Sequence, residues 1–325
     1  MKSISELFQR FRQYVMAFLL LVEILFFAVL SEYFLTPENL LNITLQTSLI
    51  AIVSVGMTMV IITAGIDISV GSVIAFVGVI TAGFLKFNMP VYFSIFLAIV
   101  AGLFVGLLLG YFNGFFITKF KMAPFIITLV AMSILRGLAY IMPKFFGFEE
   151  GRPIWGLPDE FLWLGSGRIL MIPFPTILMF LIFIVAYIVL NHTKFGRYIY
   201  AIGGNLEASR LAGIKTDKIL IYVYMINGLL TALSGILLAS RLSSGQPNAG
   251  LAYELQVIAA VAIGGASLLG GKGSIVGTFI GAMFIGVLRN GLNLVGVSSY
   301  YQEVILGLVI LAAVLLDQIK VKDWK

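Results

Sequence analysis

Uninterrupted apolar runs of about twenty residues recur along this chain, each closed by a few polar residues, as in SIFLAIVAGLFVGLLLGYF (Ser94–Phe112). A helix of roughly 20 apolar residues crosses the hydrocarbon core, and inside lipid only helices and closed barrels can satisfy their own backbone. The composition agrees: 60% of the 325 residues are hydrophobic and 11% charged, against about 25% charged in soluble domains. The expected fold is all-α, a polytopic transmembrane bundle forming a single domain over residues 1–325.

The pattern predicts ten spans, near 14–34, 45–64, 69–86, 91–118, 122–142, 172–190, 219–240, 253–270, 274–292 and 303–319. The fourth run is long enough to be tilted or broken, and the segments around Gly65 and Gly270 suit re-entrant turns. The N-terminus begins basic and turns apolar like a signal peptide. It lacks a small-residue cleavage site, so it is expected to remain as the first span. With that terminus in the cytoplasm, fourteen Lys and Arg fall on the inner side, among them Lys2, Arg10, Lys119, Lys194, Lys272 and Lys325. Five fall outside: Lys86, Lys144, Arg152, Arg168 and Arg241. Basic residues collect in cytoplasmic loops, so both termini are expected inside. The net charge of +6 is thus a topology signal and not a nucleic-acid surface.

The chain has no cysteine and one histidine, His192 in NHTK at a span end. This excludes disulfides and makes a transition-metal centre untenable. No H-E-x-x-H or G-x-S-x-G occurs, and no span carries a histidine to act as a general base, so enzyme chemistry has no candidate residues. Two stretches imitate nucleotide motifs. LLGGKGS around Lys272 lacks the first glycine and the following hydroxyl of a phosphate loop. LSSGQ (Leu242–Gln246) lies in a short outer loop with no soluble domain around it.

Charge inside a span is expensive and therefore functional by default; Glu23, Asp67, Arg136 and Arg289 are the candidates. Glu254, Glu303 and Asp317 sit near span ends and can reach water, and Glu23 on the first span also admits a peripheral structural role. Asp67 lies in ITAGIDISVGS (Ile62–Ser72), where glycines permit an unwound backbone and Ser69 adds a hydroxyl. Two readings stand. The carboxylate caps the helix that starts near Ser69, or it contacts a transported solute. Amides beside glycines recur at Asn113 in GYFNGFF and at Asn290 and Asn293 in RNGLN. They suit neutral hydroxylated solutes, and they equally suit helix–helix contacts. So few intramembrane carboxylates leave little for ion coupling, which points to an energy source on another subunit. The segment AGIDISVGSVIAFVGVI (64–80) also echoes GGASLLGGKGSIVGTFIGAM (264–283), as internal repeats with broken helices do in transporters.

Two loops are long. The outer one, about 143–171, mixes acids with aromatics and suits interfacial packing or a docking surface. The inner one, about 191–218, contains GGN, which offers a turn, then LEASRLAGI, which reads as a short helix stopped by Gly213. Such a helix could dock in a groove of another protein or lie on the membrane surface.

Four stretches resemble the membrane permease subunit of bacterial ribose-type ABC importers: ITAGIDISVGS, NGFFITKFKMAPFIITLVAMSILRG, GGNLEASRLAGI, and the run from Ala239 to Gln302. The resemblance extends in order over nearly the whole chain. It implies two permease copies in the membrane, ATP-binding cassette subunits beneath them, and a periplasmic or lipid-anchored sugar-binding protein outside. ATP and magnesium would then sit on the partner subunits, with no cofactor on this chain. The inner loop is similar to the permease coupling motif E-A-A-x-x-x-G, with Glu207, Ala208, Ser209 and Gly213 in those places. Ser209 replaces the second alanine, and the I-x-L-P tail is missing. The resemblance implies a coupling surface made of Gly203, Gly204, Asn205, Glu207, Ala208, Arg210, Leu211, Gly213 and Ile214. The polar residues within the spans, Asp67, Ser69, Asn113, Arg136, Asn290 and Asn293, are the expected lining or support of a translocation path. D-ribose is the first expected substrate, with other monosaccharides and autoinducer-2 behind it. An ATP-independent or ion-coupled carrier is the alternative.

Overall fold

A computed structural model of the chain describes residues 4–322. Its long helices, in chain order, are α1 (Ile4–Leu30), α2 (Pro37–Ile62), α3 (Val70–Phe84), α4 (Val91–Lys119) and α5 (Pro124–Ile141). After a 3-10 turn (Met142–Phe146) come the short α6 (Asp159–Ser166), then α7 (Phe174–His192), α8 (Lys194–Gly204) and α9 (Leu206–Leu211). The chain ends with α10 (Thr216–Arg241), α11 (Tyr253–Ile263), α12 (Ile275–Leu294) and α13 (Ser299–Lys322). Four two-residue strands, β1 (Ile154–Trp155), β2 (Arg168–Ile169), β3 (Ile172–Pro173) and β4 (Ser244–Gly245), pair antiparallel as β1 with β4 and β2 with β3.

Among the described residues, six helical segments are long and apolar enough to cross a membrane: α2, α4, α5 with its 3-10 extension, α7, α10 and α12. Shorter apolar helices occupy the other expected spans: Tyr14–Leu30 of α1, α3, α11 and Ser299–Ala312 of α13. Of the two alternatives for the fourth run, tilted or broken, the break is absent: α4 is one continuous helix. One expected span needs correction. The run expected over 253–270 is helical only to Ile263, because Gly265 takes φ +95° and turns the chain out of the helix. Lys2 and Lys325, counted among the inner cations, lie outside the described residues, as do the side chains of Arg10, Arg12, Asp317, Lys320 and Lys322.

The interior is built around α2 and α3, buried on all sides from Thr47 to Ile62 and from Val70 to Gly83. An all-round apolar helix belongs at a centre, not at a surface. Against them pack α10, α11 and α12, with α4, α5 and α7 outside. The face that α4 turns inward is Ser94, Ala98, Gly102, Gly106, Gly110, Asn113 and Gly114, a small residue roughly every fourth position. This spacing brings helix backbones close together. A Cβ on Gly110 would strike the Tyr224 carbonyl, and Gly106 and Gly228 each face the other's carbonyl across the α4–α10 contact. Outward, Phe96, Phe104, Leu181, Ile184, Val304 and Leu308 are exposed, an apolar belt suited to lipid.

The echo between 64–80 and 264–283 is present in the backbone. At the end of α2, Ala64 N–H donates to Ile61 and Gly65 N–H to Val60; at the end of α11, Gly265 donates to Ala262 and Ala266 to Val261. Both are the paired bonds of a Schellman stop, which needs one left-handed residue. Ala64 (φ +60°) supplies it in the first copy and Gly265 in the second.

Candidate functional site

The break between α2 and α3 gathers the polar groups of the bundle centre. Asp67 is 3% exposed. Its Oδ1 accepts from the Ser69 amide at 2.9 Å and from the Ser69 hydroxyl at 2.6 Å, and its Oδ2 accepts from Asn227 Nδ2 at 2.9 Å. Asn113 Nδ2 donates to the same Ser69 hydroxyl at 3.2 Å. Thr128 Oγ1 accepts from the Ile68 amide at 3.3 Å, tying the break to α5. Three of the expected path residues, Asp67, Ser69 and Asn113, are therefore brought together. A buried carboxylate is tolerable here because donors occupy both oxygens.

Ser69 stands at the N-cap position of α3, and its own side chain makes no cap bond. The Asp67 carboxylate holds the Ser69 amide, a free amide of that helix start, as the capping reading expects, while its other oxygen is taken from outside the segment by Asn227. Sequence reasoning missed Asn227, which is fully buried near the middle of α10 and fits beside Gly56 of α2, where a Cβ would meet its Oδ1 at 2.6 Å. It also missed Thr128 and Tyr224; the Tyr224 hydroxyl is buried against Gly65 with no hydrogen-bond partner among the described residues. An amide on a span, the cue used for Asn113, would have flagged Asn227.

The other expected path residues lie elsewhere. Arg136 on α5 donates through Nη1 to the carbonyls of Pro247 (2.9 Å) and Ala249 (2.8 Å), pinning the turn that follows β4. Asn290 exchanges two hydrogen bonds with Asn39, at 2.8 and 2.9 Å, joining the ends of α12 and α2. Asn293 accepts from Gln302 Nε2 at 2.7 Å between α12 and α13. These three hold helices and a turn together. Arg289 pairs with Glu303 at 2.8 Å. Glu23 is buried on α1, and neither oxygen has a partner among the described residues.

At the opposite end of the bundle, the expected coupling segment has more structure than its sequence suggested. The turn expected at GGN is replaced by helix: α8 runs through Gly203 and Gly204, and Asn205 alone separates it from α9. Asn205 caps α9, accepting from the Ala208 amide at 2.9 Å. Gly213 (φ +82°) ends it, and the Ile214 amide returns to the Ser209 carbonyl at 3.1 Å. Arg210 pairs with Glu207 (3.1 Å) and Asp217 (3.2 Å). Leu211 stands 89% exposed beside them, and Leu206 is exposed too. The α8 end seats on both breaks. The Ile62 carbonyl faces Gly203, where a Cβ would clash, and accepts from the Gly271 amide at 2.8 Å. Tyr200 Oη donates to the Gly273 carbonyl at 2.9 Å.

Residues 39–314 match the family described as the branched-chain amino acid transport system / permease component. The chain belongs to this permease family. Among curated relatives, the permease is 48% identical to the ribose import permease protein RbsC of Escherichia coli K12, over 93% of this chain and 92% of that one. It is 48% identical to the RbsC of Bacillus subtilis (93% and 91% covered) and 40% identical to the L-arabinose transport system permease protein AraH of E. coli K12 (95% and 92%). No solved structure matches the permease. The match begins at Asn39 and ends in α13, so it contains both helix breaks and the α8–α9 segment.

Proposed function

We propose that this chain is the transmembrane permease subunit of an ABC importer and forms the path by which a monosaccharide, D-ribose first, passes from a substrate-binding protein into the cytoplasm. ATP hydrolysis on separate subunits drives the transfer. The observation that carries the reading is the 48% identity to ribose import permeases of two distant bacteria over more than nine-tenths of each chain. L-arabinose, the substrate named for AraH, follows at 40%.

In this reading the four short apolar helices complete a ten-span topology in the bacterial inner membrane, with both termini and α8–α9 in the cytoplasm. The α9 surface, with exposed Leu206 and Leu211 between the charges of Glu207 and Arg210, docks an ATP-binding subunit. Motion of that subunit pushes α8 against the carbonyl of Ile62 and the loop at Gly271 and Gly273. Both helix breaks then move together, and Asp67, Ser69, Asn113 and Asn227 keep the first break intact. A second permease copy completes the membrane part. Affinity resides in the binding protein, so the path itself needs only polar groups that let a sugar pass.

Reconstitution of the chain with its ATP-binding subunit in proteoliposomes, with binding protein outside and labelled ribose, tests the proposal. Accumulation that requires all three components and internal ATP is expected. Equal ribose flux through the chain alone, indifferent to ATP, overturns the importer reading in favour of a facilitator. ATP-dependent accumulation of arabinose but not ribose changes the substrate and keeps the importer.

A further inference from the structure

On the flank of the bundle where α8 meets α4 and α10 lies a groove of about 310 Å³. It is lined by Leu107 on α4, Phe195 on α8, and Tyr222, Met225, Ile226 and Leu229 on α10. Apart from the Tyr222 hydroxyl, this lining is hydrocarbon, thioether and aromatic ring, and it offers a polar solute nothing to bond. The groove opens onto the apolar belt: Leu108 and Tyr111, beside Leu107, are exposed, as is Tyr222.

One end of the groove is basic. Lys218, Tyr222, Met225 and Leu229 follow one another at helical spacing on α10, so they form a single stripe that starts with the lysine. On α8, Lys194 immediately precedes Phe195. α4 runs antiparallel to α10, because Cβ atoms on Gly106, Gly110 and Gly114 would meet Gly228, Tyr224 and Ile221 in turn. That pairing brings Lys119, at the end of α4, level with Lys218. All three lysines are exposed, and none has a hydrogen bond or ion pair among the described residues. The neighbouring acid, Asp217, is already held by Arg210 at 3.2 Å.

We propose that this groove binds one anionic phospholipid, with an acyl chain along Met225, Ile226 and Leu229 and the phosphate between Lys194 and Lys218, Lys119 standing beside them. The combination selects the ligand. A free anion gains nothing from the apolar length of the groove, and a zwitterionic lipid leaves the lysines unanswered. Basic residues flanking membrane helices attract anionic headgroups, and a lysine stem covers apolar surface while its ammonium reaches the interface. Tyr222, one turn from Lys218, stands where an amphipathic ring is favoured. The same α8 abuts the Ile62 carbonyl through Gly203, so the bound lipid ties the seat of α8 to the composition of the surrounding leaflet. The importer reading supplies only the side of the membrane, the cytoplasmic leaflet.

Native mass spectrometry of the purified full-length chain in detergent tests the site. The probes are phosphatidylglycerol and phosphatidylcholine with identical acyl chains, and glycerol 3-phosphate as a headgroup without a chain. Preferential retention of one phosphatidylglycerol per chain is expected, reduced about fivefold or more in Lys194→Gln and in Lys218→Gln. Ile226→Trp, which fills the groove, should reduce retention of both lipids. Arg168→Gln, at the far end of α7, should leave retention unchanged. Thermal melting establishes that each variant folds, and Leu229→Trp replaces Ile226→Trp if it does not. Equal retention of the two lipids, no change in the lysine or groove variants, or an equal fall in Arg168→Gln overturns the proposal. Binding of glycerol 3-phosphate as tight as that of the lipid also overturns it, as does a dimer split by Ile226→Trp, which would give the groove to a second copy. The readout requires no transport, so its failure is distinguishable from failure of the importer reading.

Discussion

Asn227, near the middle of α10, donates its side-chain amide to Asp67 across 160 residues of sequence at 2.9 Å. That bond joins the α2–α3 break to α10, whose backbone lies against α4 at Gly106 and Gly110, so the irregular backbone is held by a closely packed helix pair. Irregular backbone at membrane depth is tolerated only where protein or a cavity surrounds it, and this contact supplies the protein.

Asp67→Asn removes the charge and sets an amide donor against the Asn227 and Ser69 donors, leaving at least one of them unpaired. The variant is expected to lose about 1–3 kcal/mol of stability, read as a lower melting temperature of purified protein. Asp67→Asn together with Asn227→Asp, which restores a carboxylate opposite an amide, is expected to recover part of the loss. An unchanged melting temperature in the single variant would remove Asp67 from the structural role.

Gly110→Leu forces a side chain into the Tyr224 carbonyl, and overpacking of this kind costs about 1–3 kcal/mol or more. The α4–α10 contact is expected to open, with lower yield of folded protein in detergent. Gly137→Leu, on α5 with open space where a Cβ would project, is expected to be tolerated in the same assay.

Leu211→Asp alters a residue that is 89% exposed and touches little of this chain. The isolated permease should melt as the wild type does, while co-purification of the ATP-binding subunit falls. Full retention of that subunit would remove α9 from the docking surface.

Gly203→Ala places a methyl against the Ile62 carbonyl at the junction of α8 with both breaks. The ATP-binding subunit should still co-purify, yet ribose uptake per ATP hydrolysed should drop. Uptake and hydrolysis that decline in proportion would instead indicate a general loss of assembly.

Arg136→Gln withdraws two charge-assisted bonds from the turn at Pro247 and Ala249. Hydrogen bonds from charged groups are worth about 1.5–3 kcal/mol, so the melting temperature should fall. Faster proteolysis within 242–252 would locate the released segment.

The elements readable from local pattern were those whose cause is local. Twenty apolar residues in a row must become helix in lipid; among the described residues six expected spans coincide with helices long and apolar enough to cross, and the other four contain shorter apolar helices. Gly213 ends α9 as expected, because a left-handed position after a helix is a one-residue requirement. The echo of 64–80 in 264–283 was visible because the same helix stop is written twice. α8 escaped notice because GGN reads as a turn, yet Gly203 is where the helix backbone meets the Ile62 carbonyl.

The sequence by itself determined a helical membrane protein, its family resemblance, and that Asp67 sits at a glycine-rich break. Only the tertiary structure decided which polar groups meet. Asp67 found Asn227, Asn290 found Asn39 and Arg136 found two carbonyls beyond β4, whereas the Glu23 carboxylate found no partner among the described residues. Inside an apolar bundle every polar group must find a partner or bear the cost of lacking one, and that partner is set by which helices touch. Helix contact here depends on small residues such as Gly56, Gly106 and Gly110 letting two backbones approach, a relation between remote positions that no local pattern encodes.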